Sequence, residues 1–280
     1  MAERAASNTA VGVAWLAAAH QVLDAAPRIL DDPIIGGLMG ATPEAIRERE
    51  PRLESPGARL LRAHVVTRTR YAEDRLAAAY ALGVRQYVVL GAGMDTFAYR
   101  QPAWAAGLRV FEVDQPGTQA VKRQRVTSAG VPVPDNLSYV PIDFEAESLA
   151  DGLRRGGVQL DRPTFFAWLG VTMYLTESAI DAVLETVAAF PRSSEIVFTF
   201  AQPRSADDAR GEPTLAERAA AIGEPWVTFF DPPALQQKLV ALGYETVRFL
   251  TPAETTALYF QHRADGLIPP RRTSIVSATV

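Results

Sequence analysis

The feature that most constrains this chain is the segment Tyr87-Val-Val-Leu-Gly-Ala-Gly-Met-Asp-Thr96, an apolar run entering two glycines spaced G-x-G. An uninterrupted run rich in β-branched residues suits a strand buried on both faces, the kind found in parallel sheets covered by helices. Glycine is needed after it because the chain turns tightly there and lets a ligand approach backbone that has no Cβ. A third glycine at position 96 would complete the dinucleotide pattern G-x-G-x-x-G, and that position is Thr96. The turn therefore predicts a bound cofactor that need not carry a pyrophosphate, and an NAD(P) oxidoreductase is disfavoured.

A second strand, 109–113, runs into Phe111-Glu-Val-Asp114. An acid at such a strand tip, about 20 residues beyond the glycines, is placed to grip the hydroxyls of a ribose. Glu112 and Asp114 share one strand face at period two, so either could reach the ligand. A third run, 138–142, ends in Asp143-Phe144. Asp143 read alone is a helix cap; in order with the other two acids it is placed to hydrogen-bond an adenine, with Phe144 stacking on it.

Further runs at 164–168, 195–200, 244–250 and 271–280 bring the count to seven candidate strands, alternating with helical patterns. The expected fold class is α/β: a doubly wound, mostly parallel, seven-stranded Rossmann-like sheet. Residues 1–83 read instead as helices with Pro/Gly joints, an N-terminal helical lid or cover, and residues 84–280 as the cofactor-binding domain. Within that domain 201–233 is a polar, Pro-containing insertion ending in Trp226, Phe229 and Phe230. It reads equally as a surface loop or as a lid that carries aromatics to a ligand. The Ala-rich start, with Val11, Trp15, Ala18 and Val22 at helical spacing after Ser7-Asn8-Thr9, predicts an amphipathic helix rather than a signal segment.

Composition narrows the chemistry. The 280 residues contain no cysteine and three histidines, His20, His64 and His262. That removes disulfide scaffolds, thiolate metal sites and cysteine nucleophiles, and no metal site is expected. The net charge of −4 offers no basic surplus for nucleic acid, and no run reaches a membrane-spanning length. A cytoplasmic protein is expected, with a homo-oligomeric assembly left open.

The helix expected over 58–82 carries an apolar stripe, Leu61, Val65, Ala72, Leu76, Ala79 and Leu82, and Arg68 falls on it. A guanidinium on a buried face costs several kcal/mol unless an anion meets it, so Arg68 is the candidate to hold a cofactor carboxylate. Arg70, with Asp74 four residues on, reads as a solvated pair. His64, beside the stripe, Tyr174 and His262 are the candidate bases.

Together, Arg68-Thr-Arg70, Leu90-Gly-Ala-Gly-Met-Asp-Thr96, Tyr99-Arg100, Phe111-Glu-Val-Asp-Gln-Pro116, Asp143 and Gly170-Val-Thr-Met-Tyr-Leu175 resemble the leucine carboxyl methyltransferase family. The nearest likeness is to its bacterial branch of small-molecule O-methyltransferases, often found with natural-product pathways. The resemblance implies a class I enzyme using S-adenosyl-L-methionine. Arg68 would bind the methionine carboxylate, Gly91 and Gly93 would pass under the cofactor, Asp114 would hold the ribose, and Asp143 with Phe144 would frame the adenine. Family members usually carry glutamate immediately before the Gly-Val-Thr-Met-Tyr-Leu segment, and this chain has Leu169 there. That departure leaves open a homologue that binds the cofactor without transferring methyl, for instance one that catalyses a cyclisation. The acceptor implied is an apolar or aromatic small molecule bearing a carboxylate or hydroxyl.

Overall fold

The computed structural model describes residues 8–203, 215–221, 223–261 and 263–280. Among them seven strands form one sheet in the order β3-β2-β1-β4-β5-β7-β6. The strands are β1 (Gln86–Leu90), β2 (Arg109–Asp114), β3 (Leu137–Pro141), β4 (Thr164–Trp168), β5 (Glu195–Thr199), β6 (Thr246–Phe249) and β7 (Ile275–Thr279). The first five run parallel, with Val88 opposite both Phe111 and Phe166. β7 enters between β5 and β6, antiparallel to each, so the sheet is mixed. All seven expected strands are present; the last two are shorter than their apolar runs.

Alternation along the central strands feeds two cores, one on each face. On one, Val88, Leu90, Phe111, Trp168 and Phe198 pack with Leu153 of α7 (Leu149–Arg155), Leu184 of α8 (Glu177–Ala188) and Leu239 of α10 (Pro232–Ala241). On the other, Tyr87, Val89, Phe165, Ala167 and Val197 meet Tyr71, Ala72, Leu76 and Ala79 of α5 (Pro56–Ala81). α5 starts with Ser55 accepting the Ala58 N–H and with Pro56 in its first turn, a strong helix start. It ends at Ala81, and Leu82, counted on the stripe, is exposed just past its end.

The four helices before α5 are α1 (Asn8–Leu23), α2 (Ile35–Met39), α3 (Pro43–Glu48) and α4 (Glu50–Leu53). Ala14, Ala18, Ile35, Leu38 and Ile46 form their own cluster, which takes in Met94 of the glycine turn and Val126 of α6 (Pro116–Ser128). Val11, Trp15 and Val22 pack against it only partly buried. α1 is thus enclosed on several sides, which a single stripe does not describe. A buried ion network ties α1 to α5: Arg62 donates from Nε and Nη2 to Asp24 at 2.9 and 2.8 Å and from Nη2 to Glu54 at 2.6 Å. His20 Nδ1 lies 2.6 Å from the same Asp24. Among the described residues, no helix is long and apolar enough to cross a membrane.

Candidate cofactor site

A cavity of about 690 Å³ opens beyond the carboxyl ends of the central strands. Successive strands there depart to opposite sides of β1 and β4, and open α/β sheets bind ligands at that switch point. Arg68, Gly91, Gly93, Asp114, Phe144, Leu169 and Tyr174 all line it. Seven of the expected site positions, distant in sequence, are therefore brought to one cleft.

The glycine turn is its floor. Gly91 has φ +64° and Gly93 φ +47°, the left-handed region that side chains disfavour. A Cβ on Gly91 would come within 2.4 Å of Val171 Cγ2, so the turn also packs too closely for any other residue. Asp114, at the tip of β2, accepts the Gly93 N–H through Oδ2 at 2.6 Å and the Gln115 N–H through Oδ1 at 2.7 Å. Burial raises its pKa, and the Gly93 and Gln115 N–H groups and Lys122 work against that rise.

Arg68 forms one wall. Its guanidinium lies across Gly170, where a Cβ would sit 2.6 Å from Nη1 and 2.8 Å from Nη2; Gly170 also has φ +79°. The Gly170 N–H is fixed by the Thr199 hydroxyl at 2.6 Å. Arg68 Nε is buried without a hydrogen-bond partner, and among the described residues Arg68 makes no ion pair. Desolvation pulls its pKa down to about 10, against the pull of Tyr174 and Asp95. A half-buried, desolvated cation in this condition can accept an anion from a ligand.

Other residues are placed differently from the expectation. Asp143 does not line the cavity: its Oδ1 accepts the Glu145 N–H at 3.1 Å, so the carboxylate shapes the local turn while Phe144 and Glu145 face the cleft. Glu112 does not reach a ligand either. It is 1% exposed and ion-paired with the equally buried Lys122 at 2.6 Å, because β2 turns that side chain toward α6. His64 lies outside the lining, 3.5 Å from the Ser274 hydroxyl, and burial with the nearby Arg68 charge pushes its pKa down to about 3. His262 is outside the described residues, as are 204–214 and 222 of the 201–233 insertion.

The rest of that insertion reaches the site. After α9 (Leu215–Ala221), Gly223, Glu224, Pro225 and Val227 line the cavity. The Val227 N–H donates to Met173 O at 2.8 Å and the Thr228 hydroxyl to Leu175 O at 2.6 Å, seating the segment on the 172–174 turn. Trp226 meets Tyr174 edge-on at 6.5 Å and Phe229 at 6.3 Å.

Thr96 has a role that its glycine-pattern position did not suggest. Its hydroxyl donates to Asp32 Oδ2 at 2.5 Å and accepts from Arg100 Nε at 2.9 Å. Asp32 Oδ1 in turn receives the N–H groups of Ile34 and Ile35, and Arg100 pairs with Glu73 of α5. The hydroxyl thus clamps the segment before α2 to the glycine turn. The available signal was the conjunction of an off-pattern threonine with an unassigned acid before a proline, Asp32-Pro33.

The sheet order, the glycine turn and the acid at the tip of β2 define a class I, S-adenosyl-L-methionine-dependent methyltransferase fold. Within that class, the chain belongs to the leucine carboxyl methyltransferase family, whose model matches residues 10–188. YktD of Bacillus subtilis (strain 168), named a "putative S-adenosyl-L-methionine-dependent methyltransferase", is 35% identical over 72% of this chain and 67% of its own length. A relative with that designation from Mycolicibacterium paratuberculosis is 32% identical over 79% of this chain and 72% of its own length. A crystal structure of a DUF574 family protein from Streptomyces avermitilis has the same fold. Its TM-score is 0.58 and its identity 17%, over 99% of this chain and 98% of that one.

Proposed function

We propose that the protein is an S-adenosyl-L-methionine-dependent O-methyltransferase whose acceptor is a small-molecule carboxylate carried on an apolar body. The observation that carries this reading is Arg68, a half-buried side chain whose Nε is enclosed without a hydrogen-bond partner and which makes no ion pair among the described residues, facing a cavity beside a glycine turn. The residues fit the cofactor. Arg68 supplies the cation for a methionine carboxylate, and Gly91 and Gly93 leave room for the chain to pass. Each Asp114 oxygen keeps a second lone pair for a ribose hydroxyl, and Phe144 flanks an adenine.

When bound, the cofactor supplies a methyl group on a sulfonium, open to in-line displacement by an oxygen lone pair. The protein's part is to align and enclose. Ala10, Val13, Ala14 and Ala17 of α1, with Leu30, Ile35 and Val227, give the cavity an alkyl wall that excludes water around the acceptor. Among the described residues, no histidine, lysine or cysteine lines the cavity. A carboxylate is already ionised near neutral pH and needs no base, whereas an alcohol or phenol does. Tyr174 is the residue left to orient the acceptor oxygen.

Incubation with S-adenosyl-L-methionine and a panel of small apolar carboxylic acids, phenols and alcohols, read by mass spectrometry, tests this. The expected result is a methyl ester with one S-adenosylhomocysteine per turnover. Methylation of phenols or alcohols alone would overturn the carboxylate assignment. A second reading rests on Leu169, which puts an alkyl chain in the cavity at the end of β4: the site would hold the cofactor without transferring methyl. Binding with no methylated product across the panel would favour it.

A further inference from the structure

Ala10, Val13, Ala14 and Ala17 of α1 all line the cavity. Their spacing of three and four residues puts them on one face of the helix. That face starts at the glycine turn, where a Cβ on Gly93 would lie 3.4 Å from Ala10 Cβ. From Ala10 to Ala17 it extends about 10 Å along the helix axis. Its far end is closed. Gln21 Nε2 donates to Ala17 O at 3.3 Å and to Leu30 O at 3.1 Å, which holds Leu30 beside Ala17. The Leu30 N–H donates to His20 Nε2 at 3.4 Å, so this residue is anchored at both its N–H and its carbonyl, and it too lines the cavity.

The polar groups near this wall are already engaged. The Thr69 hydroxyl of α5 donates to Val65 O at 3.2 Å, within its own helix. Asp32 takes the Ile34 and Ile35 N–H groups on Oδ1, and the Thr96 hydroxyl and Arg100 Nε on Oδ2. Arg100 is paired with Glu73 as well. A hydroxyl or amide brought to the Leu30 end would lose its water with these partners taken. The wall is also a single stripe wide, which suits an extended chain lying along the helix axis.

We infer that this face of α1 seats the body of the acceptor, and that the body is an unbranched alkyl chain running from the glycine turn to Leu30. Ala17 and Leu30 then set the longest chain accepted. The inference rests on the proposed carboxylate reading and adds the shape of the acid.

The test measures kcat/KM for methylation of butanoate, hexanoate, octanoate and decanoate, and of the ω-hydroxy derivative of the best of them. It compares the wild type with Ala17→Leu and Leu30→Ala. The wild type is expected to gain about fourfold for each added methylene until the chain meets Leu30. The terminal hydroxyl is expected to lower turnover about 10- to 100-fold. In Ala17→Leu the larger side chain fills the far end, and the ratio of long-acid to short-acid kcat/KM should fall about tenfold or more. Leu30→Ala removes the stop and should accept a longer acid than the wild type, a gain that general damage to the fold does not produce. A wild-type series without length dependence overturns the inference and leaves the carboxylate reading standing. So does an Ala17→Leu protein that slows every acid alike. Methyl ester from none of the acids, ring-bearing ones included, overturns the carboxylate reading as well.

Discussion

Replacing Arg68 by methionine should stabilise the ligand-free protein while removing its affinity for cofactor. The side chain is held where desolvation lowers its pKa from 12.5 to about 10. Keeping it protonated there costs about 3 kcal/mol, at 1.36 kcal/mol for each factor of ten. Methionine keeps most of the aliphatic stem and drops the charge, so part of that cost returns, about 1–3 kcal/mol after imperfect packing. For a chain of this size that is a rise of several degrees in melting temperature. S-adenosylhomocysteine should raise the melting temperature of the wild type by mass action, about 2.7 kcal/mol at a hundredfold excess over Kd. The variant, without the carboxylate's partner, should bind about 100-fold more weakly or worse and show almost no shift. Thermal denaturation with and without ligand gives both numbers. An Arg68→Met protein that is less stable alone, yet still shifted by S-adenosylhomocysteine, would refute the view of Arg68 as an unpaired cation awaiting an anion.

Three further outcomes follow from the same geometry. Gly170→Ala puts a Cβ 2.6 Å from Arg68 Nη1 at a φ of +79° and must displace the guanidinium; calorimetry should show at least a tenfold loss of S-adenosylhomocysteine affinity, and wild-type affinity would contradict the pose. Thr96→Gly completes G-x-G-x-x-G but removes the hydroxyl between Asp32 and Arg100; it should lose about 1–3 kcal/mol in denaturant melts and gain no NADH binding, and a gain by fluorescence titration would count against the assignment of the turn. His64 has a folded pKa of about 3 against an ordinary 6.5, so between those values the unfolded chain binds more protons and stability falls as pH falls. His64→Gln should flatten that limb, recovering about 2 kcal/mol at pH 5 relative to pH 7 in urea melts, and an unchanged limb would contradict it.

What could be read in the sequence is what local chemistry dictates. The β1 run, the two glycines and Asp114 depend on a few consecutive residues and on the spacing of one βαβ unit, and the fold keeps their order. Arg68 was legible because a charge on an apolar stripe breaks a strong local pattern, and such breaks need a physical reason. What escaped is what two distant elements make together. The insertion of β7 between β5 and β6 depends on a pairing no local pattern encodes. Glu112 and Asp114 look equivalent on one strand, and Lys122 on the following helix decides that only one faces the cleft. Asp143 reads as a ligand residue by its place in a row of acids, and the structure shows its Oδ1 accepting the nearby Glu145 N–H, as a short polar side chain after a strand commonly does. The Thr96 clamp needs Asp32 and Arg100 from opposite sides, and neither marks the other in sequence.

The central claim, that this cleft holds S-adenosyl-L-methionine by its carboxylate and its ribose, is tested most directly by a crystal structure with S-adenosylhomocysteine. The predicted result is one ligand per chain, its carboxylate on Arg68 and its ribose hydroxyls on Asp114. A ligand bound elsewhere, or one in the cleft with its carboxylate turned away from Arg68, would contradict it.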